Sequence, residues 1–309
     1  MDNLCHTLVG AALGEAGLKR RSRLGSATLM VASNLPDLDV LVFATSVPSI
    51  AFRRGWTHGT LAQAMLPLAL AAGMYLAARR LAPRPGAAPA RFGSLLLMAY
   101  LGLLLHVFMD FLNNYGIRLL FPFDRRWFYG DTLFIIDPWL WLALGAGVWM
   151  ARRQRSVRPA RTALAVAGLY VAVMLMSARA ARDIVSDAWT AANGAPPRAL
   201  MVGPQPVTPL QRTVVLDAGE RYVTGTFNWL PPEVRFDPEM VEKREADSRV
   251  AAARATGAMD GFLVWSRFPF WTIEPADGGT RVSVGDMRFL PQRPIPRGAN
   301  FSASVVLKD

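Results

Sequence analysis

The sequence predicts an α-helical membrane domain of about four to five spanning or near-spanning helices, residues 1–178, followed by a β-rich α+β domain outside the membrane, residues 179–309. Three observations carry this. Hydrophobic residues make up 52% of the chain and mean hydropathy is +0.23, both high for a soluble protein. The apolar residues gather in long runs separated by clusters of Arg and Lys. From about Arg179 the Ala-rich runs stop, and short alternating stretches take their place.

Thr7–Leu18 is rich in small residues and helical in pattern, but too short to cross a bilayer unless Asn3–His6 joins it. Gly25–Thr45 is apolar yet carries Asn34, Pro36, Asp37 and Asp39, so it reads as an interrupted span. Leu61–Ala78, Ser94–Leu112, Ile135–Met150 and Ala160–Ala178 each approach the ~20 apolar residues that a span needs, the third being short. Three basic loops lie between them: Lys19, Arg20, Arg21 and Arg23; then Arg79, Arg80, Arg84 and Arg91, with Pro83, Pro85 and Pro89; then Arg152, Arg153, Arg155, Arg158 and Arg161. The positive-inside rule places all three in the cytoplasm. Alternation then puts residues 46–60 and 113–134 on the outer side, and the C-terminal domain with them. The N-terminus does not read as a cleaved signal peptide, because its bases follow the apolar stretch instead of preceding it.

In the C-terminal part, Arg212–Leu216, Tyr222–Trp229, Gly261–Phe270, Thr280–Val284 and Ser302–Leu307 alternate as strands do. Ala276-Asp277-Gly278-Gly279 reads as a turn between two of them. Glu239–Ala255 is charged and Ala-rich, with a helical pattern.

Net charge is +11. The bases sit between apolar runs instead of forming one stripe, so loop charges that orient a membrane protein account for them, and no nucleic-acid partner is expected. The single cysteine, Cys5, can form no internal disulfide and reads as a small buried residue beside His6. The partner expected is membrane lipid; the sequence does not reveal an oligomeric state.

All three histidines lie in the first 106 residues, each beside groups that bind metal. His106 and Asp110 are one helical turn apart and share a face. Asp37 and Asp39 follow a proline, so one can ligate while the other orients, or the pair can serve a turn. His58 ends Arg53-Arg54-Gly55-Trp56-Thr57, a loop entering a helix, with glycines that permit close approach. His6 belongs to the first short helix. Under the topology above, His6, Asp37, Asp39, His58, His106 and Asp110 all fall near the outer interface, and ionisable groups at such depth read as functional. Asp131 and Asp137 lie on the same side as lesser candidates; loop solvation and a helix start before Pro138 are their simpler roles.

His6-Thr7, Pro36-Asp37-Leu38-Asp39, Arg54-Gly55-Trp56-Thr57-His58 and His106-xxx-Asp110, in that order, resemble the signature of the YdjM-type (DUF457) family over about residues 1–180. These are bacterial inner-membrane proteins classed as membrane-bound metal-dependent hydrolases. The family is more distantly similar to the zinc-dependent phospholipase C and P1 nuclease group. That resemblance implies a first ion on Asp39, His58, His106 and Asp110, and a second on His6 and Asp110. Asp37 can replace or assist Asp39. Those enzymes use further histidines for a third zinc, and this chain has none left, so one or two divalent ions, zinc first, are expected.

The resulting expectation is metal-assisted hydrolysis of a phospholipid or lipid-linked phosphoester at the outer face of the inner membrane. Asp37 or Asp39 would take the proton, and Arg53, Arg54 and Arg118 would hold the anionic group, with snorkelling as their alternative. A non-enzymatic reading stands beside it: a structural metal that staples the helices, with a partner-binding outer domain. A transporter reading predicts polar groups at several depths.

Overall fold

The computed structural model describes residues 1–82, 88–289 and 301–308, so Pro83, Arg84 and Pro85 of the second basic loop lie outside the described residues. Helices α1 (Asn3–Glu15), α2 (Gly25–Ala32), α3 (Ser49–Phe52), α4 (Thr60–Arg80), α5 (Phe92–Phe111), α6 (Pro138–Arg153) and α7 (Arg158–Asn193) come first. They are followed by β1 (Ala199–Pro204), β2 (Gln211–Asp217), β3 (Arg221–Trp229), β4 (Pro232–Glu242), α8 (Ser248–Ala255), α9 (Asp260–Leu263), β5 (Pro269–Ala276), β6 (Gly279–Asp286) and β7 (Ser302–Leu307). The chain forms two compact units. One holds Met1–Ala44, Arg53–Ser177 and Pro204–Pro209; the other holds Thr45–Phe52, Ala178–Gly203 and Leu210–Asp309.

In the first unit α4, α5 and α7 are long and apolar enough to cross a membrane. Helix α2 and the 3-10 segment Leu35–Ala44 together pass the same test, but the chain bends by 51° between them. The interruption sits where Asn34 and Pro36 occur. Helix α6 has 16 residues; at 1.5 Å per residue it reaches only about 24 Å, so the short third run stays short. Asp137 caps it by accepting from the Trp139 and Leu140 amides, with Pro138 in its first turn.

Small residues let these helices approach closely. A Cβ on Gly10 would stand 2.8 Å from the Leu29 carbonyl of α2, and one on Gly102 of α5 would meet Ala32 at 2.7 Å. Helix α1 thus packs on α2, α5 and α6, and buries Cys5, Val9, Met109, Leu140 and Leu144 in one core.

The basic residues gather at one end of this bundle. Arg23 donates to the Ala78 and Leu81 carbonyls at the end of α4, at 3.0 and 2.9 Å, and so satisfies carbonyls that a helix end leaves free. Arg161 reaches the Ala16 carbonyl at 3.0 Å, and Arg152 reaches Glu15 at 3.0 Å. The first turn of α1, the last turns of α5 and the start of α6 belong to the other end. There the Asp2 amide donates to the Ile135 carbonyl, and Trp141 Nε1 to Asp2 Oδ2.

The second unit is β-rich, with a four-stranded sheet in the order β1-β2-β3-β4 and a three-stranded sheet in the order β5-β6-β7. The pairs β2–β3, β3–β4, β5–β6 and β6–β7 are antiparallel. Ala181, Val185 and Trp189 of α7 pack on Val202, Val214, Leu216, Val223 and Phe227 of the larger sheet. Asp277-Gly278 turns the β5–β6 hairpin, with Gly278 at φ 80°.

Two sequence expectations need correction here. Gly261–Phe270 is not a strand: α9 occupies its start and β5 begins only at Pro269. Phe262, Trp265 and Phe268 are buried at intervals of three, so a helical turn and not a two-residue period decides which side chains go inside. Glu239–Ala255 is helical only over Ser248–Ala255, because Glu239–Glu242 completes β4 by pairing with β3. Tertiary pairing overrides local propensity there. Pro238 is tolerated in β4 because that strand is an edge.

Candidate metal centre

Three elements of the first unit bring four side chains to one point. His106 and Asp110 come from the last two turns of α5, with Nε2 and Oδ2 3.3 Å apart. His58 arrives on the Arg53–Gly59 loop, and its Nε2 lies 3.2 Å from Asp110 Oδ2 and 3.2 Å from His106 Nε2. Asp37, from the 3-10 segment, faces His106 Nε2 at 3.9 Å. One ligand atom from each of these four residues lies within 4.8 Å of every other. His58, His106 and Asp110 are buried to 1% exposure or less, and Asp37 to 8%.

The hydrogen bonds fix which imidazole nitrogens face inward. His106 Nδ1 is 2.8 Å from the Ser33 carbonyl, which can only accept, so Nδ1 carries the proton and Nε2 keeps a lone pair. That carbonyl is free because α2 ends at Ala32. His58 Nδ1 lies 2.9 Å from Thr57 Oγ1 and 3.5 Å from Asp39 Oδ2. In the tautomer that donates from Nδ1 to these oxygens, its Nε2 lone pair turns inward too. Burial first, and then the His106 ring, push His58 below the usual imidazole range despite the opposing pull of Asp110 and Asp39, which favours the neutral ring a metal needs.

In that tautomer two lone pairs and a carboxylate meet with no proton between them. A tetrahedral ion with bonds of about 2.0–2.1 Å needs donors about 3.3–3.4 Å apart. Three of the separations here, 3.2, 3.2 and 3.3 Å, lie within about 0.1 Å of that range. The residues therefore could hold a metal ion.

The remaining sequence candidates fall around this group. Asp39, assigned to the first ion by resemblance, stands outside the four donors, and Asp37 takes that place. Asp39 accepts from the Arg54 amide at 2.8 Å, Arg53 Nε at 3.3 Å and Thr57 Oγ1 at 3.4 Å, so it positions the His58 loop. His6 stacks on His106 with ring centres 3.9 Å apart and reaches the other oxygen of Asp110, Oδ1, at 3.2 Å. The Met1 amine also contacts Oδ1. Asp110 therefore presents one oxygen to His58 and His106 and the other to His6.

The three arginines differ. Arg54 is buried, with φ 57°, and its guanidinium is 3.2 Å from Asp110 Oδ2. Arg118 is buried between the Phe121 and Trp127 rings, at 4.5 and 5.0 Å, and packs on Gly55, where a Cβ would come within 2.3 Å of the guanidinium. Only the Arg53 side chain is substantially open, at 28%. At Gly59 a Cβ would strike the Phe121 carbonyl at 2.2 Å, so both glycines of the loop serve close approach. Asp137 caps α6, Asp131 takes a left-handed backbone at φ 48°, and neither joins the four donors. Cys5 lies in the helical core.

Sequence reasoning did not pick out Asn3, which donates to Asp37 Oδ2 at 3.0 Å, or the Ser33 carbonyl. An amide side chain and a main-chain oxygen carry no motif.

The segment holding Asp37 and Asp39 has an inverted amphipathy. Both carboxylates are buried, whereas Leu38, Val40, Leu41 and Phe43 are 49%, 49%, 66% and 60% exposed. A segment facing water has the reverse pattern.

No solved structure matches the chain. It is similar to YfhP of Bacillus subtilis (strain 168), an uncharacterized protein, with 25% identity over 195 residues; the match covers 60% of this chain and 57% of that relative's length. The YdjM inner membrane protein family matches residues 1–181, more than half of the 309. With its apolar spanning helices, the chain is a multi-pass membrane protein and belongs to the YdjM inner membrane protein family.

Proposed function

We propose that this protein is a zinc-dependent hydrolase that cleaves a phospholipid or lipid-linked phosphoester at the outer face of the inner membrane. The observation that carries the reading is the convergence of the His58, His106 and Asp110 donors at close to an ion's spacing, with Asp37 3.9 Å from His106, beside a segment whose exposed side is apolar. When bound, the ion supplies Lewis acidity for water and for the phosphoryl oxygens. The oxygen of water bonds to phosphorus, the ester P–O bond breaks, and the released proton passes through Asp37 to the departing alcohol. Asp37 suits this role because its side chain, at 10% exposure, is the most open of the four. Asp39, held by Arg53, Arg54 and Thr57, orients His58 instead. Arg53 holds the phosphate, with its guanidinium between Asp39 and the exposed Phe43 ring, 5.5 Å from the latter. Leu38, Leu41 and Phe43 face the acyl chains. His6 offers a place for a second ion that shares Asp110.

The outer location of the site and of the C-terminal domain rests on the basic helix ends, which the positive-inside rule assigns to the cytoplasm. Near-complete burial of the four donors favours a second reading, in which the metal only staples the helices and the outer domain binds a partner. Catalytic sites keep an open coordination position and structural sites do not. Hydrolysis of phosphodiester lipids by the metal-loaded protein, abolished in Asp37→Asn with metal retained, supports the enzyme. A metal-loaded wild type that is inert on phosphodiester and carboxylic-ester lipids alike would overturn it.

A further inference from the structure

We infer that the bundle carries a second ligand site at its basic end, which holds the phosphate of an anionic membrane lipid. A cavity of about 250 Å³ opens where α1, α6 and α7 meet, lined by Glu15, Lys19, Arg20, Arg152, Arg155 and Ser156. Four cations face one carboxylate there, an excess of three positive charges. Glu15 is already engaged by Lys19 and by Arg152. Arg20 and Arg155 have no acidic partner within ion-pair distance among the described residues.

Arg155 is held on this cavity by an unusual backbone. The α6–α7 turn places it at φ 51°, a left-handed conformation uncommon for a residue with a side chain. Ser156 accepts from the Arg158 amide and opens the 36-residue helix α7, whose positive end faces the same space. A phosphate supplies the charge and the acceptor oxygens that this arrangement lacks, and planar guanidinium groups match it bidentately.

The next residues along both helices show what carries the phosphate. A second cavity of about 400 Å³, lined mainly by apolar groups, begins at Met150 and Arg158 and runs past Ala146, Gly147, Ala163 and Val166. Small side chains line it where α6 and α7 approach so closely that a Cβ on Gly147 would meet Ala163 at 2.2 Å. A headgroup pocket next to an apolar groove fits a lipid with a phosphate head and one acyl chain along the groove. His6 and Glu15 lie at opposite ends of α1, about 13 Å apart along the axis at 1.5 Å per residue. The site is therefore separate from the metal centre and does not depend on the function proposed above.

The test uses the full-length protein in mixed micelles, with binding of phosphatidylglycerol, phosphatidylcholine and inorganic phosphate measured by native mass spectrometry and thermal shift. Phosphatidylglycerol should bind in preference to phosphatidylcholine. Arg20→Gln with Arg155→Gln should weaken it by about tenfold or more, whereas Arg79→Gln with Arg80→Gln, at the same end but outside the cavity, should change it by less than about twofold. Ala146→Phe, which fills the groove, should weaken the lipid while leaving inorganic phosphate unchanged. Unchanged circular dichroism and thermal unfolding check the fold of each variant. Equal losses in both arginine pairs, or no preference for the anionic lipid, would overturn the site. Phosphate binding as tight as that of the lipid, with Ala146→Phe without effect on either, would overturn the lipid as the ligand.

Discussion

His58 and His106 point their Nε2 atoms at one another across 3.2 Å; His106 has no proton to donate there, because its Nδ1 faces the Ser33 carbonyl, and His58 has none when its Nδ1 donates to Thr57 or Asp39. Such a pair is unfavourable on its own and favourable around a cation. Wild type purified in mild detergent should carry a stoichiometric divalent ion, zinc by preference. His58→Ala, His106→Ala and Asp110→Asn should each lose it while remaining folded; elemental analysis with circular dichroism checks this.

Asp37 and Asp39 should separate by assay. Asp39→Asn removes the acceptor behind His58 and should weaken metal binding by about 10–100-fold without abolishing it. Asp37→Asn should leave metal bound through the other three donors but stop turnover. Competition with a chromophoric chelator measures the first, and single-turnover hydrolysis the second. Equal loss of metal in both would return Asp39 to the ligand set.

The apolar side of the Leu35–Ala44 segment should sit in lipid. Leu41→Ala with Phe43→Ala removes apolar surface worth about 1.5–3 kcal/mol per side chain when buried. Cleavage of vesicle-borne substrate should fall by about tenfold or more, and that of a short water-soluble phosphodiester by much less. A spin label at Leu41 should be accessible to oxygen and protected from a polar nickel relaxant; the opposite pattern would put the segment in water.

The C-terminal unit has its own electrostatic anchor. Burial alone would raise Asp286, but Arg288 beside it, with Ser266, holds the carboxyl below the ordinary aspartate value. It accepts from the Arg267 and Arg288 amides at 2.7 and 3.0 Å and from Arg288 Nε at 2.8 Å. A depressed carboxylate stabilises the fold above its unfolded value, and that contribution disappears as pH falls through the folded one. Asp286→Asn should destabilise the unit by about 3–5 kcal/mol near neutral pH, and the deficit should shrink at acidic pH. Tryptophan fluorescence during thermal unfolding, with Trp265 and Trp271 buried in this unit, reports it.

Topology is testable directly. A periplasm-dependent reporter fused after Asp309 should be active, and a cytoplasm-dependent one silent; the reverse result would invert the assignment of the basic ends.

The sequence by itself determined the helical class of the first half, the β-rich class of the second, the family, and a group of histidines and carboxylates confined to the first 110 residues. Long apolar runs, basic punctuation and an i,i+4 pair such as His106–Asp110 are local properties, and local properties survive in a sequence. Only the tertiary structure decided which imidazole nitrogen each carboxylate meets. Asp37 and Asp39 are two residues apart, and a 51° bend after α2, with the close approach of α1, α2 and α5, turns the first toward His106 Nε2 and the second toward Arg54, Thr57 and His58 Nδ1. It also decided that Gly261–Phe270 begins as a helical turn, and that Arg53 stays open while Arg54 and Arg118 are buried in support of the loop. Each of those outcomes depends on partners distant in sequence. Chain spacing shows that such residues can meet, whereas packing sets which atoms do.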